Sequence, residues 1–227
     1  MAGGEITNTV LLQGIVGSTA YGLAGPHSDV DRLGVFAAPT RSFHGLHPPI
    51  GREATEVVHE PADLTRHEAR KYCLLALAAN PTVLELLWLP GYEIRTPLGD
   101  ALVAIRRAFL SAPRVREAYL GYAEQQFTRL RNKGADRRTP KHARHLLRLL
   151  HQGEQLYGTG ELAVRLADPQ RYHDFGVAVA AGPQVARTEL DRARERFAAA
   201  ATPLPEQPDE TIVESWLVRV RAAHLES

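Results

Sequence analysis

The chain has 227 residues, 44% of them hydrophobic, and its 27 lysines and arginines nearly balance its 26 acidic residues. This size and composition predict a globular protein with a substantial core, and any basic surface for a partner must be local. The only cysteine, Cys73, excludes an internal disulfide framework and a cysteine-rich zinc site, which suits a cytoplasmic protein. No apolar run approaches the roughly 20 residues that span a bilayer, so no membrane partner is expected.

The first part of the chain predicts a small mixed domain. Residues 9–16 read TVLLQGIV, a short β-branched run typical of a buried strand. A second strand is predicted over 28–39, a third over 54–60, and a fourth, short strand that passes into a helix over 61–81. A further helix begins at Pro81, whose ring suits a first helical position.

The second part of the chain predicts helices alone. Five segments carry apolar residues at three- and four-residue spacing, which is typical of amphipathic helices: 98–110, 113–132, 140–158, 183–201 and 210–225. We therefore predict an α+β protein with a mixed-sheet domain over residues 1–95 and an all-helical domain over 96–227.

The stretch GSTAYGLAGPHSDVD, residues 17–31, concentrates glycines, hydroxyls and two alternating carboxylates. In a strand, Asp29 and Asp31 project to the same side and repel each other unless a cation lies between them. Magnesium binds such carboxylates together with phosphate oxygens. Gly17 lets the backbone approach a phosphate, and Ser18 offers a hydroxyl. The alternative is that Asp-Val-Asp closes a turn and Gly-Ser is an ordinary loop.

The order of these features resembles the signature of the DNA polymerase β-like nucleotidyltransferase superfamily: Gly-Ser, a short helix, then a strand with Asp-x-Asp. Four further runs make the sequence similar to the predicted nucleotidyltransferases associated with RNA ligases in RNA-repair gene clusters. They are YGL at residues 21–23, GVF at 34–36, RKYCLLALAANPTVLELLW at 70–88 and KHARHLLRLLHQGEQLYGTGEL at 141–162.

This resemblance implies transfer of a nucleoside monophosphate from a triphosphate to an acceptor hydroxyl, with release of pyrophosphate. It implies two Mg²⁺ ions about 4 Å apart, with Mn²⁺ as an alternative, held by Asp29 and Asp31 in a cleft that the helical domain closes. An RNA end, tRNA among the candidates, is the expected acceptor, and ATP or CTP the expected triphosphate. Tyr21 is a candidate for stacking on the base.

The superfamily also implies a third carboxylate on a neighbouring strand, which completes the metal site and activates the acceptor. Asp63 is our choice, because it starts the segment that leads into the helix. Glu56 is the alternative, since its segment reads better as a strand. A third interpretation makes Asp63 a helix cap.

A basic segment covers residues 129–148, with eight lysines and arginines against one acid: Arg129, Arg131, Lys133, Arg137, Arg138, Lys141, Arg144 and Arg148, against Asp136. Such a concentration suits polyphosphate or an RNA backbone, although a solvated helix face is the alternative. Lys141, His145 and Arg148 share one helical face by spacing. The resemblance implies that these three residues bind the triphosphate, but it does not distinguish their roles.

Other interpretations stay open. His142 and His145 have zinc-like spacing without a third ligand nearby. Glu85 is either exposed or a partner of a site residue. A protein or small-molecule hydroxyl could replace RNA as the acceptor, and a nucleotide- or RNA-binding module without catalysis is a further alternative. The oligomeric state does not follow from the sequence.

Overall fold

The computed structural model describes residues 8–26, 28–59, 63–133 and 139–225. They form two compact units. The first contains the described residues of Met1–Leu77, Thr82–Phe109 and Asp209–Ser227, and the second contains those of Ala78–Pro81 and Leu110–Pro208. In the ranges that the structure covers, no helix combines the length and apolarity needed to cross a membrane.

The first unit contains a five-stranded mixed sheet, and the predicted α+β class is confirmed. Its strands are β1 (Thr9–Ile15), β2 (Arg32–Ala37), β3 (Thr55–Val58), β4 (Leu64–Glu68) and β5 (Ile94–Arg95). The spatial order is β3-β4-β2-β1-β5. Strands β2 and β4 run parallel, and the other neighbouring strands are antiparallel.

The α-helices of the first unit lie between and after these strands in the chain. They are α1 (Gly17–Tyr21), α2 (Ala69–Leu77), α3 (Pro81–Leu84, which begins in the second unit), α4 (Pro97–Ala104) and α9 (Glu210–Ala223). The core contains fully buried side chains from the sheet and from the helices, among them Leu12, Val35, Tyr72 and Leu84.

The second unit is all helical. Its main helices are α5 (Ala112–Lys133), α6 (Thr139–Thr159), α7 (Pro169–Ala181) and α8 (Gln184–Ala199). Helix α5 packs closely on α6, where a Cβ on Gly153 would lie 2.6 Å from the Tyr119 side chain. The sequence pattern predicts α5, α6 and α8, but it misses α7.

The units differ from the predicted division at residue 95 because two later segments bind back to the sheet. Next to α4, the Thr96 backbone N–H and hydroxyl both donate to the Leu11 carbonyl, at 3.0 and 2.9 Å. In α9, Arg221 forms a two-point ion pair with buried Glu68, at 2.7 and 3.0 Å. Such contacts are tertiary, so helical periodicity cannot reveal them.

Candidate active site

The Gly17–Ser18 turn follows β1 directly, as predicted, and begins the five-residue helix α1. Gly17 has a φ of +68°, a left-handed conformation that favours glycine. A Cβ at this position would overlap the carboxylate of Asp31. Gly17 is therefore required both by its backbone conformation and by the side chain packed against its Cα.

Asp29 and Asp31 lie immediately before β2 rather than within it, since this strand begins only at Arg32. Asp29 is exposed and Asp31 is partly buried. The Asp31 carbonyl accepts from the Val16 N–H at 2.9 Å, so the chain is already aligned with the end of β1. Strand β2 thus begins later than the predicted strand, although the Asp31 backbone already pairs with Val16.

Asp63 lies next to Asp31 because β2 and β4 are parallel. Arg32 is the register partner of Leu64, and the Arg32 N–H donates to the Asp63 carbonyl at 2.8 Å. Asp31 and Asp63 precede this pair, so they lie immediately before the starts of two neighbouring strands, at the same edge of the sheet. We call Asp29, Asp31 and Asp63 the carboxylate edge.

Glu56, the alternative third carboxylate, has partners within the sheet. Its carboxylate accepts from the side-chain amide of Asn8 at 2.7 Å and from the Arg66 guanidinium at 3.4 Å. Its register partner on β4 is Arg66, three residues beyond Asp63. This geometry favours Asp63 over Glu56 as the third member, and the assignment stays a prediction.

An open pocket of about 700 Å³ lies at the carboxylate edge. Its walls contain Asp29, Val30, Arg32, Val58, His59, Asp63 and Leu64. One carboxylate oxygen of Asp63 lies 3.1 Å from Nδ1 of His59, and Arg32 Nε donates to Glu93 at 2.9 Å. The pocket therefore combines the carboxylates of Asp29 and Asp63 with the Arg32 guanidinium and the His59 ring.

The donor set of this edge suits Mg²⁺, which prefers carboxylate oxygens and completes its shell with water or phosphate. Within the residues placed by the structure, no group of three His, Cys, Asp or Glu lies close enough to hold a metal ion. The backbones of Asp31 and Asp63 are adjacent, but the three side chains are not gathered around one point. Magnesium binding stays a prediction.

Tyr21 lies in the core of the first unit and does not fit the predicted role of stacking on a base. Its side chain is buried, and its hydroxyl donates to the Glu85 carboxylate at 2.5 Å. Glu85 is itself 1% exposed, so it is the partner of a site residue and not a surface acid. Its place in an apolar helical run, LELLW, gives no signal of this contact.

The face of α6 that carries Lys141, His145 and Arg148, which we call the α6 face, has only one exposed member. Lys141 is exposed, whereas Arg148 is 1% exposed. The Arg148 guanidinium donates to Gln152 at 2.5 Å and lies 3.1 Å from Nδ1 of His145. Burial, and next the charge of Arg148, lower the pKa of His145 to about 3. Of the three predicted triphosphate ligands, only Lys141 is therefore exposed, and their roles as ligands stay predictions.

The rest of the basic segment is divided between surface and interior. Arg129 and Arg131 are exposed, and burial lowers the pKa of Arg144. Arg137 and Arg138 lie outside the described residues, as does the side chain of Lys133. Nδ1 of His142 lies 3.0 Å from the Gln126 side-chain oxygen, which gives that ring a partner other than a metal.

In a comparison with protein families, the model of the RNA repair pathway DNA polymerase beta family matches residues 4–174. The chain belongs to this family. A comparison with curated proteins finds no match. This membership agrees with the resemblance, noted from the sequence, to a polymerase β-like family in an RNA repair context.

The family match includes both regions described above. It extends from before β1 into α7, so it contains the carboxylate edge, Glu85 and the whole of α6. It leaves out α8 and α9, although α9 packs within the first unit. The match therefore covers both regions, but it assigns no role to a single residue.

Proposed function

We propose that this protein is a magnesium-dependent nucleotidyltransferase that transfers a nucleoside monophosphate from a triphosphate to a hydroxyl at an RNA end. The observation that carries the proposal is the parallel pairing of β2 with β4, which sets Asp31 beside Asp63 at one edge of the sheet. Asp29 and the Gly17–Ser18 turn belong to the same end of the unit, next to β2 and β1.

The chain's own residues have separate tasks in this reaction. Asp29, Asp31 and Asp63 would hold Mg²⁺, which supplies charge neutralisation to the phosphate oxygens. The Ser18 hydroxyl donates a hydrogen bond to a phosphate oxygen of the triphosphate. Asp63 accepts the proton of the acceptor hydroxyl, whose oxygen forms a bond to the α-phosphorus. The bond from this phosphorus to the bridging oxygen breaks, and pyrophosphate leaves.

RNA is the favoured acceptor class for two reasons. The family belongs to an RNA repair pathway, and the second unit exposes the cations Arg129, Arg131 and Lys141. Contacts between such cations and phosphates release counterions, so RNA affinity should fall steeply with salt.

The experiment offers each of the four triphosphates, labelled at the α-phosphate, to total RNA and to total protein in the presence of Mg²⁺. We expect label in RNA with the wild-type protein and none with Asp29→Asn or Asp31→Asn. Glu56→Gln is the matched control, because it also removes one carboxylate charge from the sheet.

Any other outcome would change the acceptor, the activity or the site in this proposal. Label in protein would make a protein hydroxyl the acceptor, and extractable small labelled products would indicate a small-molecule acceptor. Magnesium-dependent binding of the triphosphate without transfer would indicate a binding module. Equal labelling by the wild type and the aspartate variants would overturn the assignment of the site.

A further inference from the structure

A buried carboxylate, Glu85, contacts both ends of helix α1. One of its oxygens accepts from the backbone N–H of Gly17 at 3.4 Å, and the other accepts from the hydroxyl of Tyr21 at 2.5 Å. Gly17 and Tyr21 are the first and last residues of the helix. A single side chain therefore holds the turn that begins α1 and the residue that ends it.

Packing does not explain an acid at this position. The neighbouring side chains Leu84, Leu86 and Leu87 are each at most 1% exposed, as Glu85 is. An apolar residue would satisfy such surroundings, whereas a buried carboxylate is costly unless charged or polar donors reach it. Here hydrogen bonds from both ends of α1 compensate the acid.

The backbone around Glu85 is fixed from two sides. The Tyr72 hydroxyl donates to the Val83 carbonyl at 3.1 Å, and the Tyr92 hydroxyl donates to the Leu86 carbonyl at 2.9 Å. Glu85 starts a 3-10 helix between these two anchored residues. Its carboxylate is therefore held by a rigid support, as a residue that positions another group must be.

The effect of Glu85 reaches Asp31 through Gly17. The Asp31 carboxylate packs directly against the Cα of Gly17, in space that a Cβ would occupy. A displacement of Gly17 toward Asp31 would push this carboxylate away, and a displacement in the other direction would remove its support. The position of a predicted metal ligand thus depends on where Glu85 holds the turn.

We infer that Glu85 is a positioning residue that fixes Gly17 and thereby the carboxylate of Asp31. This inference rests on the proposed function, in which Asp31 holds Mg²⁺. It also changes the assignment of Gly17: its N–H is turned to Glu85, so the glycine supports the metal-binding carboxylate and does not serve as a phosphate donor.

Two substitutions test this inference. Glu85→Gln keeps the shape but removes the negative charge and replaces one acceptor oxygen by an NH2 donor. Neither bond to α1 then stays charge-assisted, and either the Tyr21 hydroxyl must accept instead of donate or the Gly17 N–H loses its acceptor. Tyr21→Phe removes only the hydroxyl. Leu86→Ala is the control, because it weakens the same buried segment without removing the carboxylate. Thermal unfolding of all three variants measures how far each one is destabilised.

The decisive readout is the Mg²⁺ concentration that gives half-maximal binding of fluorescent ATP or CTP, compared at a temperature where all variants are folded. We expect this concentration to rise about tenfold for Glu85→Gln, as for the loss of one charge-assisted hydrogen bond, and less for Tyr21→Phe. Leu86→Ala should leave it unchanged.

Two results would overturn the inference in different ways. An unchanged Mg²⁺ requirement in Glu85→Gln, or an equal rise in Leu86→Ala, would make Glu85 merely structural and leave the proposed function standing. A wild-type protein that binds neither triphosphate in a magnesium-dependent manner would overturn the proposed function and this inference with it.

Discussion

The carboxylate edge and the α6 face both contain residues predicted to bind a ligand, yet the fold treats their side chains differently. At the carboxylate edge, Asp29 and Asp63 are exposed and Asp31 is partly buried. On the α6 face, Lys141 is exposed while Arg148 lies in the core of the second unit. Two of the three side chains at the carboxylate edge are thus exposed to a ligand. On the α6 face, only Lys141 is exposed.

This difference follows from how each element presents its residues. Strand pairing fixes which residues begin neighbouring strands, so polar groups at a sheet edge are brought together by backbone hydrogen bonds. Helical spacing fixes only which residues share a face, and packing then decides how far this face is buried. The carboxylate edge should therefore govern chemistry, and the inner part of the α6 face should govern stability.

The largest expected effect concerns the third carboxylate. Asp63→Asn should lower the rate of nucleotidyl transfer by at least about 100-fold, because it removes a metal ligand and the acceptor of the proton. Steady-state transfer of α-label to RNA measures the loss. Glu56→Gln should keep most of the activity. A reversed order of the two variants would make Glu56 the third carboxylate.

A second effect concerns stability rather than rate. Arg148→Leu should lower the free energy of unfolding by about 2 kcal/mol. The reason is that the buried Gln152 oxygen loses its hydrogen-bond donor and the His145 ring loses its contact with the guanidinium. Urea unfolding followed by circular dichroism measures this change. Lys141→Ala is the control and should unfold like the wild type. A stable Arg148→Leu protein with impaired triphosphate binding would restore the predicted role of Arg148 as a ligand.

The pH dependence of stability gives a smaller effect. The pKa of His145 is about 3 in the fold, below its ordinary value of 6.5. Between these two pH values the imidazole binds a proton in the unfolded chain but stays neutral in the folded chain. Stability should therefore fall as the pH decreases from about 6.5 toward 3, by less than about 1.4 kcal/mol per pH unit from this group.

Urea unfolding at several pH values measures this slope. His145→Gln should flatten it, while substitution of the exposed His44 by glutamine should not. A slope that is unchanged in His145→Gln would contradict the burial of a neutral His145 in the second unit.

The smallest effect is expected at the exposed end of the α6 face. Lys141→Ala should weaken RNA binding about threefold and reduce the salt slope of the affinity by about one, as for the loss of one phosphate contact. Arg116→Ala, which removes an exposed cation from α5, is the matched control. Equal losses in both variants would indicate general attraction by charge and no particular role for Lys141.

The sequence allows the elements near the site to be predicted, but not their partners. A strand, Gly-Ser and Asp-x-Asp are local patterns. They locate β1 and the start of α1 correctly, whereas the aspartates precede β2 and do not lie within it. The adjacency of Asp31 and Asp63 depends on the pairing of strands whose contact residues are 32 positions apart. The burial of Arg148 depends on which neighbours α6 acquires.

Three further features escape prediction for related reasons. Glu85 lies in a run whose spacing describes a packed helix, so nothing local distinguishes its carboxylate as a partner of Tyr21. Helix α7 is missed between better-marked helices. The return of α9 to the first unit relies on Arg221 and Glu68, which are 153 residues apart.

The most direct test of the carboxylate edge compares two labels in the same triphosphate. We predict that wild-type protein with Mg²⁺ places the α-phosphate label in RNA, releases the γ-phosphate label as pyrophosphate, and does neither when Asp31 is replaced by asparagine. Label from the γ-phosphate in RNA, or unchanged α-labelling by Asp31→Asn, would contradict nucleotidyl transfer at this edge.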